Sequence, residues 1–281
     1  MSLVLVLDWG IGGLATLERL RARAPHLSLC YVSDSGYTPY GRVPPVELGA
    51  RISLLCERLQ PSALLVACNA ASSALHEAPS LPELTIGIIE AGVEATLSTL
   101  EDLWPLGLRS PRLGVIGGLG TIQAGHYKRL LQGAWGHRSE LMVISEPAQA
   151  LSAHVEAGRL EGPELDADLD ELCARLGSLD ALTLACTHYP ALSAQLQARL
   201  PEVTLIDPVE RFVAQALTKL NAHGLIEASD AQSSGSLCVY TTGDLEELKR
   251  NALSAWGIHL EGPPLNGRCL PLDLSSRMER I

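Results

Sequence analysis

LTLACTHYPAL, residues 182–192, is an apolar run that reaches a thiol at Cys186 and turns polar at once with Thr187, His188, Tyr189 and Pro190. A short apolar run ahead of a helix-opening segment reads as a buried strand whose last side chain faces the start of a helix. A second stretch, LLVACNAASSAL at 64–75, has the same shape and carries Cys68 in the corresponding place. The two share the pattern ALxxAC, Ala63 to Cys68 matching Ala181 to Cys186, a faint internal repeat. If the repeat marks two similar half-domains facing one another, the two strand ends form opposite walls of a single cleft.

Outward from these stretches, short apolar runs alternate with amphipathic ones: LVLVLD (3–8), LSLCYVSD (27–34), ALLVACN (63–69), TIGIIE (85–90), RLGVIGG (112–118), ELMVISE (140–146), ALTLACT (181–187), TLID (204–207) and LCVYTTG (237–243). That alternation predicts an α/β protein with parallel sheets covered by helices, in which ligands bind at the carboxyl ends of the strands. Boundary signals lie in WPLGLRSPR (104–112) and around Pro201, and SDAQSSGS (229–236) reads as an exposed loop.

Composition narrows the function. The 281 residues are 47% hydrophobic, enough for one large core or two ordinary ones, and the net charge of -11 argues against a nucleic-acid surface. No apolar run approaches the length of a membrane span, and the N-terminal MSLVLVLDWGIGG reads as a first strand rather than a leader. Seven irregularly spaced cysteines without a CxxC predict neither a disulfide framework nor a structural zinc site, and a cytoplasmic setting is expected.

Two chemical readings compete. Gly10, Gly12 and Ala15 match GxGxxA after a strand, and Asp34 ends the next strand, as a dinucleotide site requires. Against it, the Asp8 carboxylate stands where a pyrophosphate would approach and Trp9 crowds the turn. The other reading rests on the thiols. A cysteine in an apolar strand is usually a small hydrophobe, and Cys30, Cys56, Cys173, Cys238 and Cys269 are assigned to packing. Cys68 and Cys186 differ because each precedes a helix start, a position that lowers a thiol pKa, and each has a candidate proton partner, Asp8 for Cys68 and His188 for Cys186. A zinc site on Cys186 and His188 lacks further ligands at suitable spacing. A Cys/His dyad alone leaves the Cys68 segment without a role. Two thiols on opposite faces of one bound carbon account for both segments, and such an arrangement inverts a stereocentre.

LVLDWGIGGLATL, YVSDSGYTPYG (31–41), LLVACNAASSAL, TIGIIEAG (85–92), LGVIGGLGTI (113–122), LTLACTHYPAL, LIDPVE (205–210) and VYTTGDLEELK (239–249) follow in an order that resembles the aspartate/glutamate racemase family, most closely its glutamate racemases. The resemblance implies two doubly wound parallel-sheet domains related by a pseudo-twofold, with residues 1–92 plus 205–281 in the first and 93–204 in the second, and a ligand cleft between them. It implies interconversion of L- and D-glutamate or a related amino acid without a cofactor or metal, as in peptidoglycan biosynthesis. Cys68 and Cys186 would be the acid/base pair, assisted by Asp8 and His188. Trp9, Tyr40, Gly41, Asn69, Ala70, Thr121 and Thr187 would line the substrate. A small amino acid is then the expected partner, with no nucleic acid or membrane, and a homodimer is compatible with the family.

Three positions depart from the family pattern: Trp9 stands for a serine, Ala70 for the threonine of CNT, and Gly118 for a threonine. Each removes a hydroxyl expected near substrate, and a hydrogen bond to a charged group contributes roughly 1.5 to 3 kcal/mol. The indole N–H of Trp9 is the expected substitute donor. The alternatives are a racemase scaffold that binds a small carboxylate without racemising it and, on the glycine-rich turn, a nicotinamide-dependent oxidoreductase.

Overall fold

The computed structural model describes residues 3–103, 110–136, 140–226, 235–261, 268–272 and 274. Most of the 104–112 boundary signal and of the 229–236 loop therefore lies outside the described residues.

The chain runs β1 (Val4–Asp8), α1 (Leu14–Arg23), β2 (Leu29–Ser33), α2 (Pro45–Leu59), β3 (Ala63–Val66), α3 (Asn69–Ser73), β4 (Leu84–Gly87) and α4 (Ile88–Leu103). It continues with β5 (Arg112–Gly117), α5 (Leu119–Ala124), α6 (His126–Trp135), β6 (Met142–Pro147), α7 (Gln149–Glu156), α8 (Pro163–Leu176), β7 (Ala181–Ala185), α9 (Ser193–Arg199) and β8 (Thr204–Ile206). It closes with α10 (Val209–Ala222), β9 (Leu237–Thr241), α11 (Leu245–Trp256) and β10 (Arg268–Pro271).

Among the described residues ten strands form two parallel sheets, one ordered β10-β9-β2-β1-β3-β4 and the other β6-β5-β7-β8. Because helices cover both faces, the central strands are buried at every position and read as unbroken apolar runs rather than as an alternation. Leu5 and Leu7 pack with Leu48, Ile52 and Leu55 of α2, while Val4 and Val6 face Leu14 and Leu17 of α1 and Phe212 of α10. In the second sheet Leu113 and Val115 meet Val93 of α4 and Leu131 and Trp135 of α6. Its other face, with Leu182 and Leu184, joins Leu151 of α7 and Leu169 of α8 in the same core that holds α1 and α10. One apolar cluster thus runs between the two sheets.

The order β2-β1-β3-β4 repeats as β6-β5-β7-β8, so β3 and β7 occupy equivalent places beside the first strand of each sheet. These are the two ALxxAC strands. Strand order reverses at β1/β3 and at β5/β7, and such switch points open a crevice at the carboxyl ends.

The expected division at 92/93 and 204/205 cuts α4 in its second turn and β8 after its first residue, and β8 pairs with β7 in the four-stranded sheet. The run TIGIIE is a strand only to Gly87, since Ile88 and Ile89 already belong to α4. Among the described residues no helix is long and apolar enough to cross a membrane.

Candidate active site

The carboxyl ends of β1, β3, β5 and β7 converge on a cavity of about 420 Å³, counting its open mouth. Its walls include Asp8, Trp9, Tyr40, Gly41, Cys68 and Asn69 from the first sheet and Thr121, Gln149, Cys186 and His188 from the second. Ala70, Gly118 and Thr187 line it too, so all the residues that the family resemblance placed at the site reach the same space. Among the described residues no lysine or arginine does. Apart from the His188 ring, the donors that meet a carboxylate held here are neutral side chains and backbone N–H groups, which suits an anion whose charge is to change during reaction.

β3 stops at Val66, and Cys68 is the residue immediately before α3. The expectation of a lowered thiol pKa at this helix start is overturned. Burial pushes the Cys68 thiol well above its ordinary range and the Asp8 carboxylate pushes the same way, while the N–H groups of Ala71 and Ala70 pull it down by less. A five-residue helix supplies too little field to offset full desolvation. The charge of Cys186 also acts on Cys68, which puts the two sulfurs within electrostatic reach across the cavity.

Asp8 ends β1, beside β3 as anticipated. It is fully buried, and burial raises its pKa to about 6 against the opposing effects of His188, the Gly10 N–H and Thr187. Its oxygens accept from the Gly10 N–H at 3.2 Å and the Thr187 hydroxyl at 3.0 Å.

The Cys186 side is built differently. Cys186 is half-buried, with its Sγ 3.7 Å from His188 Nδ1, and His188 Nε2 lies 2.7 Å from Glu156 Oε2. Burial alone would lower the His188 pKa, but its hydrogen bonds and charge interactions with Cys186 and Glu156 outweigh burial and hold it well above the ordinary value. An imidazolium anchored by a carboxylate stands directly against this thiol.

Glu156 was not anticipated, because it lies 32 residues from His188 in the chain. A signal was nonetheless present: Gln149, Ser152 and Glu156 sit at i, i+3 and i+7 of α7, one helical face. Gln149 and Ser152 line the cavity, and Glu156 turns to His188 and to the Ile11 N–H at 2.9 Å. A polar stripe at helical spacing marks a face that meets something other than core.

The glycine-rich turn has a different reason from the one a dinucleotide fold would give it. A Cβ at Gly10 would lie 2.1 Å from Glu156 Oε2, and one at Gly12 would lie 2.4 Å from Thr187 Oγ1 and 2.7 Å from His188 Nδ1. Side chains of the second sheet press on this backbone and fill the place a pyrophosphate would need. Asp34, the would-be ribose ligand, is fully buried and accepts from Tyr40, Arg51 and Thr242. The oxidoreductase reading is set aside on these contacts.

Two expectations about donors also change. The Trp9 indole N–H donates to the Tyr37 carbonyl at 3.0 Å, so it does not replace a lost hydroxyl toward substrate. The Tyr40 hydroxyl donates to Asp34 at 2.7 Å, leaving the backbone of the Tyr40–Gly41 turn to face the cavity. Among the described residues no group of three or more His, Cys, Asp and Glu side chains is arranged to hold a metal ion.

Two parallel sheets whose equivalent strand ends present a thiol each to one cavity define a candidate site for a small molecule held between them. Comparison with known proteins agrees: the Asp/Glu/hydantoin racemase profile matches residues 41–216, and the chain belongs to that family. A glutamate racemase from Cupriavidus pinatubonensis is 33% identical over 234 residues, 80% of this chain and 82% of the relative. Among solved structures, a glutamate racemase isoform from Bacillus anthracis superposes with a TM-score of 0.80 at 28% identity, covering 97% of this chain and 98% of the other. The Thermus thermophilus glutamate racemase in complex with β-chloro-D-alanine gives a TM-score of 0.76 at 26% identity and covers 98% of each chain.

Proposed function

We propose that this protein is a glutamate racemase that moves the α-proton with two cysteines and draws on no cofactor. Relatives named for that activity support the substrate, and the single observation that carries the chemistry is the meeting of Cys68 and Cys186 at one cavity from topologically equivalent strands. The surroundings of the two thiols suit opposite tasks. Cys186 has its Sγ 3.7 Å from a ring nitrogen of His188, a group able to take up and return its proton, so it acts as the base. Cys68 is held as a thiol by burial and by Asp8, so it acts as the acid.

In one turnover the Cys186 thiolate takes the α-proton from one face, forming an S–H bond as the C–H pair moves into the carboxylate. The Cys68 S–H then delivers its proton to the opposite face, and the electron pair returns to carbon. The enzyme ends with the proton on Cys186 and the charge on Cys68, and the reverse reaction starts from that state. The intermediate carries extra charge on the carboxylate, and the backbone N–H groups around the strand ends are positioned to receive it. The domain division read from the sequence is retained in this proposal, with the second crossing moved beyond Ile206 because β8 belongs to the four-stranded sheet.

Incubation with D- or L-glutamate in deuterium oxide, without added cofactor, tests this. Deuterium should enter the α-position and the optical rotation should decay to zero, and Cys68→Ala or Cys186→Ala should abolish the decay. Trp9, Ala70 and Gly118 all lie on the cavity wall without a hydroxyl for substrate, which favours the binding scaffold as the second reading. That reading requires glutamate to bind with no exchange at the α-carbon.

A further inference from the structure

Asn69 follows Cys68 at the start of α3, lines the cavity and is 3% exposed. Its carboxamide is half satisfied. The oxygen Oδ1 accepts a hydrogen bond from the Tyr127 hydroxyl at 2.8 Å, whereas the amino nitrogen Nδ2 is buried and has no partner. An unpartnered buried amide N–H is disfavoured unless something arrives to accept from it, so the amino end is kept for a ligand.

Tyr127 belongs to the other sheet. It lies near the start of α6, is 3% exposed and packs with Leu113, Val115 and Trp135 of the four-stranded sheet's core. Its hydroxyl occupies space left by Gly92 of α4, where a Cβ would come within 2.1 Å of the phenol oxygen. Burial, with the charges of Asp207 and Cys186, raises the phenol pKa, so the group stays protonated. A neutral, immobile hydroxyl is thereby fixed at one end of the carboxamide.

An asparagine amide turned by half a revolution exchanges donor for acceptor, and a carboxylate facing Oδ1 is repelled where one facing Nδ2 is bound. We infer that Tyr127 is a positioning residue: by donating to Asn69 Oδ1 across the sheet-to-sheet boundary, it locks the amide with Nδ2 toward the cavity and so sets affinity for the substrate carboxylate. The inference rests on the racemase reading for the identity of that carboxylate, but the orientation of the amide does not. Substrate binding on the first sheet depends, through this bond, on the second sheet being in place.

The test is a cycle of Tyr127→Phe, Asn69→Ala and the double variant, with KM and kcat for glutamate racemisation and the side-chain amide signals of Asn69 in ¹H–¹⁵N spectra. Tyr127→Phe should raise KM by about tenfold with kcat changed by less than about threefold, and should shift the Asn69 amide pair in the free protein. In the Asn69→Ala background the same substitution should change KM by less than about twofold, since the residue through which it acts is gone. Equal effects in both backgrounds, or an unshifted Asn69 signal, overturn the inference. A wild-type protein that exchanges no α-hydrogen defeats the racemase reading alone, because the amide signal still decides whether Tyr127 holds Asn69. Equal thermal midpoints for wild type and Tyr127→Phe exclude a general loss of folding as the cause.

Discussion

The two thiols sit on equivalent strands, and their surroundings are opposite in kind. Cys68 is buried next to a carboxylate, Asp8, with no base or cation bonded to its sulfur among the described contacts. Cys186 is half-buried beside an imidazole that is itself backed by Glu156. A shared ALxxAC pattern fixes where the backbone goes, because the strand and its place in the sheet follow from local apolar sequence. It does not fix the surroundings, which come in part from residues farther along the chain: Glu156 lies 32 residues from the His188 it backs, and Thr187 lies 179 residues from the Asp8 it donates to. On the proposed mechanism, repetition supplies the symmetry that stereoinversion needs, and the unequal neighbours supply one base and one acid.

The comparison breaks most severely if the imidazole is removed. His188→Asn keeps a polar group but removes the ring nitrogen that meets the Cys186 sulfur and can exchange a proton with it. A loss of about 10³-fold in kcat/KM is expected, within the range for a positioned proton-transfer group. Iodoacetamide alkylation of Cys186 at neutral pH should slow in the same variant while that of Cys68 stays as in wild type. If both thiols slow equally, the two sides are coupled and the division of labour proposed here is wrong.

Asp8 sharpens the other side through stability rather than rate. Its folded pKa, about 6, lies above the ordinary 3.8, so the folded chain holds this proton more tightly than the unfolded chain does. The sign follows: stability falls as pH rises from about 4 to about 6, and the penalty is fully present above the folded value. Asp8→Asn has nothing to titrate there. Its stability relative to wild type should therefore increase by roughly 3 kcal/mol between pH 3 and pH 7, the size of a two-unit shift. Urea unfolding at the two pH values reads this directly, and a pH-independent difference would show that the carboxylate is not buried at a cost.

How far the sequence reached follows the same line. β3 and β7 are legible because a parallel strand covered on both faces is an unbroken apolar run with a polar stop, and Ala63–Val66 and Ala181–Ala185 are such runs. TIGIIE was legible as buried but not as a junction, since three isoleucines give no sign of where the period changes from 2 to 3.6. β10, four residues ending on Pro271, was missed because its pairing with β9, not its composition, makes it a strand. The cavity residues were found through their motifs, whereas Glu156 and Tyr127 act across the gap between sheets and carry no local mark of the partner they meet. Gly10 and Gly12 were read against a phosphate because sequence shows that a side chain is absent, not which group takes the space.

The smallest effect belongs to Trp9, where the family pattern changes most in bulk. Its indole N–H is tied to the Tyr37 carbonyl, and Tyr37 in turn lies under the Arg51 guanidinium at 4.5 Å. The indole thus fastens the β1 turn to the segment that carries Tyr40 and offers its donor to no ligand. Trp9→Phe keeps the ring and removes only that bond, so kcat/KM for glutamate should stay within about threefold of wild type, while stability falls by about 1 kcal/mol. Steady-state racemisation with a thermal or urea denaturation on the same preparation separates the two. A tenfold loss of kcat/KM at unchanged stability would mean that the N–H turns to substrate when the cavity fills, and Trp9 would then belong with Asn69 among the donors that hold the carboxylate.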